Sequence, residues 1–343
     1  MVEVWFAILT VMLGIFAVLD GLNIGSGIVS FLVARSPLER RVVVSALGPL
    51  WSWHEVWLLS AGGILFVAFP SVLATALSGF YLAVFLLLWC LLLRGLSLEL
   101  GGHMDDPMWR AFWDVTFAVS SVLLGVLLGA ALGNVVRGVP LDARGRFSLA
   151  FFTDFGVSGE VGILDWYTVS VAVFTVFCLA AHGATYLVLK TEGAVHDRSL
   201  ALARRLWPTV FALFVVLTLE TTVVRPELFH GIARRPPAWL LVACIVAGVA
   251  AIVDGTRRGR EVRAFLGGCA FIVGLLAAGA VAIFPVMLHS TFPDRPAATA
   301  YEGAAAAHGL GLALVWWPLA LALSLAYAFF VLRHFAGKVR LGA

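Results

Sequence analysis

Charge is scarce in this chain. Only 13% of its 343 residues are charged, while 62% are hydrophobic. A water-soluble domain carries roughly 25% charged and about 45–50% apolar residues, so a water-facing surface of this size is excluded. Length alone would allow two or three soluble domains. The apolar runs recur from end to end, however, and the chain reads as a single polytopic membrane domain over residues 1–343. Clustered basic residues of the kind that bind nucleic acid are also missing, and the net charge is only +3. Cysteine is sparse. Cys90, Cys178, Cys244 and Cys269 each lie within an apolar run, with no CxxC or CxxCH spacing. That excludes a paired zinc motif and covalent haem attachment, and the four read as small buried residues. The first apolar run has no basic leader and exceeds the ~7–15 residues of a signal-peptide core, so it is expected to stay as a helix.

A spanning helix needs ~20 mostly apolar residues. Nine segments qualify: 4–34, 50–69, 71–93, 112–136, 162–189, 206–224, 238–254, 264–288 and 308–334. The fold expected is therefore an all-α integral membrane protein with nine transmembrane helices. Phe69-Pro70-Ser71 reads as a tight turn joining the second and third spans into a helical hairpin. With the N-terminus outside, 16 of the 23 Lys and Arg residues fall in inside loops, Arg94 among them, and 7 fall outside. The positive-inside rule then favours N-out, C-in, and an odd number of helices agrees with ends on opposite sides. The longest outside loop, from Arg137 to about Val161, carries Phe151, Phe152 and Phe155 among Gly and Ser.

Ionisable groups within a span cost roughly 2.5–3.5 kcal/mol each on insertion scales, so they need partners, water or a function. Asp20 and Asn23 lie mid-span and three residues apart, on one helix face. Flanking glycines, Gly21 and Gly25, permit a close helix neighbour. This pair reads either as a buried carboxylate on a proton path or as an interhelical hydrogen-bond anchor. Trp51, His54 and Glu55 recur at i, i+3 and i+4. A tryptophan belt at a membrane interface explains Trp51, Trp53 and Trp57 but not His54 beside Glu55. Such a pair suits proton transfer. One His and one Glu fall short of a metal-ligand set, and their spacing is not HExxH. His182, in the fifth span, reads as a helix–helix hydrogen-bond partner more readily than a haem ligand. Glu220 and His289 sit near span ends.

Several stretches resemble one known family. Phe16-Ala17-Val18-Leu19-Asp20-Gly21-Leu22-Asn23-Ile24-Gly25 is similar to the first-helix signature of subunit II of cytochrome bd-type quinol oxidases. Gly48-Pro49 through Trp57-Leu58-Leu59-Ser60-Ala61-Gly62-Gly63, then Phe69-Pro70 and Leu77-Ser78-Gly79-Phe80-Tyr81, also match in order. So do Arg110-Ala111-Phe112-Trp113-Asp114, Gly133-Asn134 with Gly138-Val139-Pro140, Gly183-Ala184-Thr185-Tyr186-Leu187 and Phe284-Pro285. Each motif is weak alone, but together they cover nearly the whole chain.

The resemblance implies two four-helix bundles plus one peripheral helix, in the prokaryotic cell (inner) membrane. It implies a heterodimer with a haem-bearing subunit I that carries haems b558, b595 and d and oxidises quinol to reduce dioxygen to water. A small single-helix subunit and membrane lipid are further partners it implies. It gives subunit II no haem or metal of its own, and links it to proton access, oxygen access or a bound structural quinone. No spaced set of intramembrane His and Met here would supply three haems. Asp20, His54 and Glu55 are the proton-path candidates. Asn23, Trp51, Ser52, Trp57, Asp114 and His182 are motif residues, and Trp51 and Trp57 are expected to shape the subunit interface. One departure stands out. Many members have an acidic residue directly after the first Trp of the second-helix motif and Asn two further on, where this chain has Ser52 and His54 followed by Glu55. Two other readings compete. A proton-coupled secondary transporter would work as a lone subunit, and a purely structural subunit would tolerate Glu55→Gln.

Overall fold

The computed structural model describes residues 1–48, 51–157, 159–292, 294 and 297–339. Pro49 and Leu50 of the second motif, and Arg295 and Arg340 of the charge count, lie outside these. The long helices are α1 (Val2–Val33), α3 (Trp51–Ala68), α5 (Tyr81–Leu100), α6 (Pro107–Arg137), α7 (Trp166–Lys190), α8 (Gly193–Val224), α10 (Pro236–Arg258), α11 (Glu261–Ile283) and α12 (Ala307–His334). Short helices α2 (Pro37–Leu47), α4 (Pro70–Gly79) and α9 (Glu227–Arg234) join them, with a small antiparallel pair, β1 (Val286–Leu288) and β2 (Ala298–Thr299).

Local chemistry sets the helix starts. Proline, whose missing N–H is no loss in a first turn, opens α2, α4, α6 and α10. Ser36 with Glu39 and Asp165 with Thr168 close capping boxes on α2 and α7. Among the described residues, eight helices are long and apolar enough to span a bilayer, and the bent α3–α4 pair makes a ninth.

The largest departure from the sequence reading concerns that pair. The 71–93 span does not form. The chain bends by 120° between α3 and α4, because Pro70 cannot continue α3. At ten residues, α4 is ~15 Å long at 1.5 Å per residue, half of a ~30 Å hydrocarbon core. It ends where Gly79 lies so close to Phe147 that a Cβ would fall 2.2 Å from the ring. Phe80 then packs edge-on to Phe147 at 4.9 Å. The returning span is α5, and it starts only at Tyr81. Arg94, expected in a loop, is therefore carried inside it.

Helix α1 packs against α3, α6, α7 and α11. Pairing α1 with α3 and α6, and α5 with α6, gives one bundle; α7 with α8 and α11, and α10 with α11, gives the second. Helix α12 flanks the first through Leu310, whose carbonyl accepts from Trp5 Nε1 at 3.3 Å. The chain ends lie at opposite ends of the bundle. Glu3 accepts a bond from Tyr301 of the loop before α12, whereas Val339 donates to Lys190 O at the far end of α7. Outward-facing residues such as Phe66, Tyr81, Trp89, Leu240 and Phe330 are exposed and apolar, which suits a surface that meets lipid or another protein.

Candidate functional site

Three helices build one polar cluster. Asp20 and Asn23 project from one face of α1, His54 and Glu55 from the first turns of α3, and Arg94 from α5. Asn23 Nδ2 donates to Asp20 Oδ1 at 3.0 Å and to His54 Nδ1 at 2.9 Å. An amide nitrogen only donates, so His54 Nδ1 must accept, and a neutral ring carries its proton on Nε2. Arg94 Nη1 donates to Asp20 Oδ1 at 2.7 Å, and its Nη2 is paired with Glu55 Oε1. Asp20, Asn23, His54 and Arg94 are buried. The Glu55 side chain keeps 24% of its surface exposed, so it forms the accessible edge of the cluster.

Two carboxylates thus share one guanidinium. With His54 neutral, the cluster carries one excess negative charge in a low-dielectric interior, where an uncompensated charge is costly. One bound proton neutralises it. Among the described residues, Asp20 Oδ2, Asn23 Oδ1, Ser26 Oγ, His54 Nε2 and Arg94 Nε are buried with no hydrogen-bond partner. Buried polar atoms of this kind are normally satisfied by ordered water, so the cluster suits water-assisted proton exchange.

The other motif residues lie elsewhere. Trp51 covers Gly95, one residue from Arg94, so closely that a Cβ there would meet its ring at 2.9 Å. Trp57 is buried within the chain beside Trp53, at 5.8 Å. Its i+3 spacing from His54 turns it toward the interior of the chain. Ser52 is exposed on α3. Asp114 accepts from Arg40 Nε at 2.6 Å and ties α6 to α2, apart from the cluster. His182 donates from Nε2 to Val18 O at 3.1 Å, joining α7 to α1. Glu220 accepts from Ser170 Oγ at 3.2 Å, between α8 and α7.

Arg94 is the residue that sequence reasoning missed. Its signal was the pair of buried carboxylates itself, since both needed a cation at their depth.

Both buried histidines are already packed against neighbouring side chains. His182 is stacked on Phe265 at 5.3 Å between ring centres and packed against Gly268 and Trp207. His54 is held by Asn23 and flanked by Trp53. One cavity along α10–α11 and another between α7, α8, α10 and α11 are lined by neither. Among the described residues, no group of three His, Cys, Asp or Glu side chains is arranged to hold a metal ion.

Comparison with known proteins agrees with this architecture. The structure of bd oxidase from Geobacillus thermodenitrificans superposes with a TM-score of 0.76 at 18% identity, over 97% of this chain and 98% of that one. The cytochrome bd-I ubiquinol oxidase subunit 2 of Escherichia coli K12 is 30% identical over 68% of this chain and 62% of its own length. The probable cytochrome oxidase subunit 2 of Haemophilus influenzae is 25% identical over 98% of this chain and 94% of its own. The family model for cytochrome bd terminal oxidase subunit II matches residues 1–335. With that match running through every spanning helix, the chain belongs to the cytochrome bd terminal oxidase subunit II family.

Proposed function

We propose that this chain is the haem-free second subunit of a quinol-oxidising, dioxygen-reducing membrane complex, and that Glu55, Asp20 and His54 carry protons within it, positioned by Arg94. The reading of haem-free rests on the tight packing around His54 and His182. The haems then belong to subunit I. We also place the C-terminal end of the bundle on the cytoplasmic side. Lys190, Arg198, Arg204, Arg205 and Arg257 lie at that end, and cytoplasmic faces are rich in basic residues.

One observation carries the proton role: two membrane-embedded carboxylates share a single guanidinium. Glu55, at the accessible edge, takes a proton. Arg94 holds both carboxylates in place, and Asp20 with His54 receives the proton deeper in. In this chain Glu55 replaces the acid that the family usually carries one residue after Trp51.

Glu55→Gln keeps shape and hydrogen-bonding capacity but cannot shuttle a proton. In the intact complex it is expected to lower quinol-dependent oxygen consumption by about 10²-fold, the low end of what a positioned proton-transfer group contributes, with haem content unchanged. Glu55→Asp should restore part of the rate with a displaced pH profile. Full turnover in Glu55→Gln would sink the proton role and favour the purely structural reading.

A further inference from the structure

A groove of about 770 Å³ runs along the outside of the α10–α11 pair. Its walls are small and apolar: Cys244, Ala247 and Ala251 on α10, and Leu266 and Ala270 on α11. The helices approach closely beside it. A Cβ on Gly255 would lie 2.5 Å from Ala264 N. From Cys244 to Gly259 the groove follows α10 for ~22 Å at 1.5 Å per residue, more than half of a ~30 Å hydrocarbon core.

Its mouth, at the C-terminal end of the bundle, is different in character. Arg260, Glu261 and Arg263 line it. Asp254 is the local counter-ion, and it is shared by Arg258 at 2.8 Å, Arg263 at 2.6 Å and Arg260 at 3.8 Å. One carboxylate faces three guanidiniums that remain 50–65% exposed. Neighbouring Glu261 brings no relief, because His196 and Lys338 each hold it at 2.9 Å. The first turn of α11 also opens here, with no side-chain cap on its N–H groups, and such a terminus attracts anions.

We propose that this groove binds one anionic diacyl phospholipid, its phosphate on Arg260 and Arg263 and one acyl chain along Ala247, Ala251 and Ala270. Charge complementarity selects the headgroup and the apolar length of the groove selects the chain. The ordinary surplus of cytoplasmic arginines explains the charge without the groove, so the test must separate the two.

The intact complex is purified in mild detergent and titrated with phosphatidylglycerol, phosphatidylcholine or inorganic phosphate, and binding is counted by native mass spectrometry. One phosphatidylglycerol is expected to be retained in preference to phosphatidylcholine. Arg260→Gln with Arg263→Gln should weaken it about fivefold per arginine, the effect of a basic residue near an anionic surface, while phosphatidylcholine binding stays unchanged. Ala247 is exposed on the groove wall, so Ala247→Phe should weaken both lipids. Haem absorbance and turnover should remain as in the parent complex for all variants. The proposal is overturned by equal phosphatidylglycerol binding across the variants, or by competition from inorganic phosphate at matched concentration. Loss of another subunit from Ala247→Phe would also overturn it, since a protein helix would then be the occupant. If Ala247→Phe does not assemble, the arginine pair alone decides.

Discussion

Arg94→Leu is expected to leave almost no assembled complex in the membrane. The side chain is fully buried, and its guanidinium is the ion-pair partner of both Asp20 and Glu55. Leucine fills much of the volume but strands two carboxylates in a low-dielectric interior. Removing one partner of a buried ion pair typically costs about 3–5 kcal/mol, and total stabilities run about 5–15 kcal/mol. Here the loss falls on two pairs at once. Affinity purification followed by haem absorbance measures the outcome directly. Removing all three charges together, as Arg94→Leu with Asp20→Asn and Glu55→Gln, should restore much of the assembly, because a neutral cluster has no stranded charge. Turnover should stay low in that triple variant if the cluster moves protons. Accumulation of Arg94→Leu at the parent level would mean that the carboxylates find other partners or are held neutral.

The triple variant matters because the cluster's stability and its chemistry pull in different directions. A fully compensated cluster would need equal positive and negative charge. This one has two acids and one base, with a histidine whose hydrogen bond from Asn23 fixes it as an acceptor at Nδ1. On the proposed proton role, the imbalance leaves room for one exchangeable proton, and Glu55 gives that proton an edge to arrive by.

Much of this was readable from the residues. Apolar length fixed the spans of α1, α6, α7 and α11 to within a few residues, because ~20 apolar residues have few alternatives to crossing a bilayer. Helical spacing correctly put Asp20 beside Asn23, and His54 beside the face of Glu55. Arg94 was lost through one boundary. A hydropathy window sees 71–93 as continuous apolar sequence and stops at the first charge, Arg94. The break at Gly79–Phe80 depends on Phe147, nearly seventy residues away, and no local pattern reports that contact. The inward turn of Trp57 was illegible for a related reason. Aromatic residues at a span's start look the same whether they face lipid, a partner or the interior.

The glycines of α1 and α7 provide the second large effect. A Cβ on Gly25 would fall 1.9 Å from Leu179 O, and one on Gly183 would fall 2.2 Å from Gly25 C. Both obstacles are backbone, so no side-chain rotation relieves them, and the helices must move apart. The motion would also draw His182 Nε2 away from Val18 O, now 3.1 Å distant, and shift Asp20 on the neighbouring turn of α1. Overpacking a core typically costs about 1–3 kcal/mol and sometimes more, and a backbone clash belongs at the upper end. Gly25→Ala or Gly183→Ala should therefore lower the midpoint of thermal haem loss in the detergent-solubilised complex by several degrees, and Gly25→Leu should prevent assembly. Gly62 and Gly63 of α3 supply the control. They also belong to a glycine-bearing motif, yet a Cβ at either meets nothing within 4 Å. Alanine there should be neutral or slightly stabilising, since it is the better helix former by about 1 kcal/mol. Equal tolerance at all four positions would show that α1 and α7 pack less closely than the Gly25–Gly183 crossing requires. The Asp20–Arg94 pairing would then have to be held by the packing of α1 and α5 on α6.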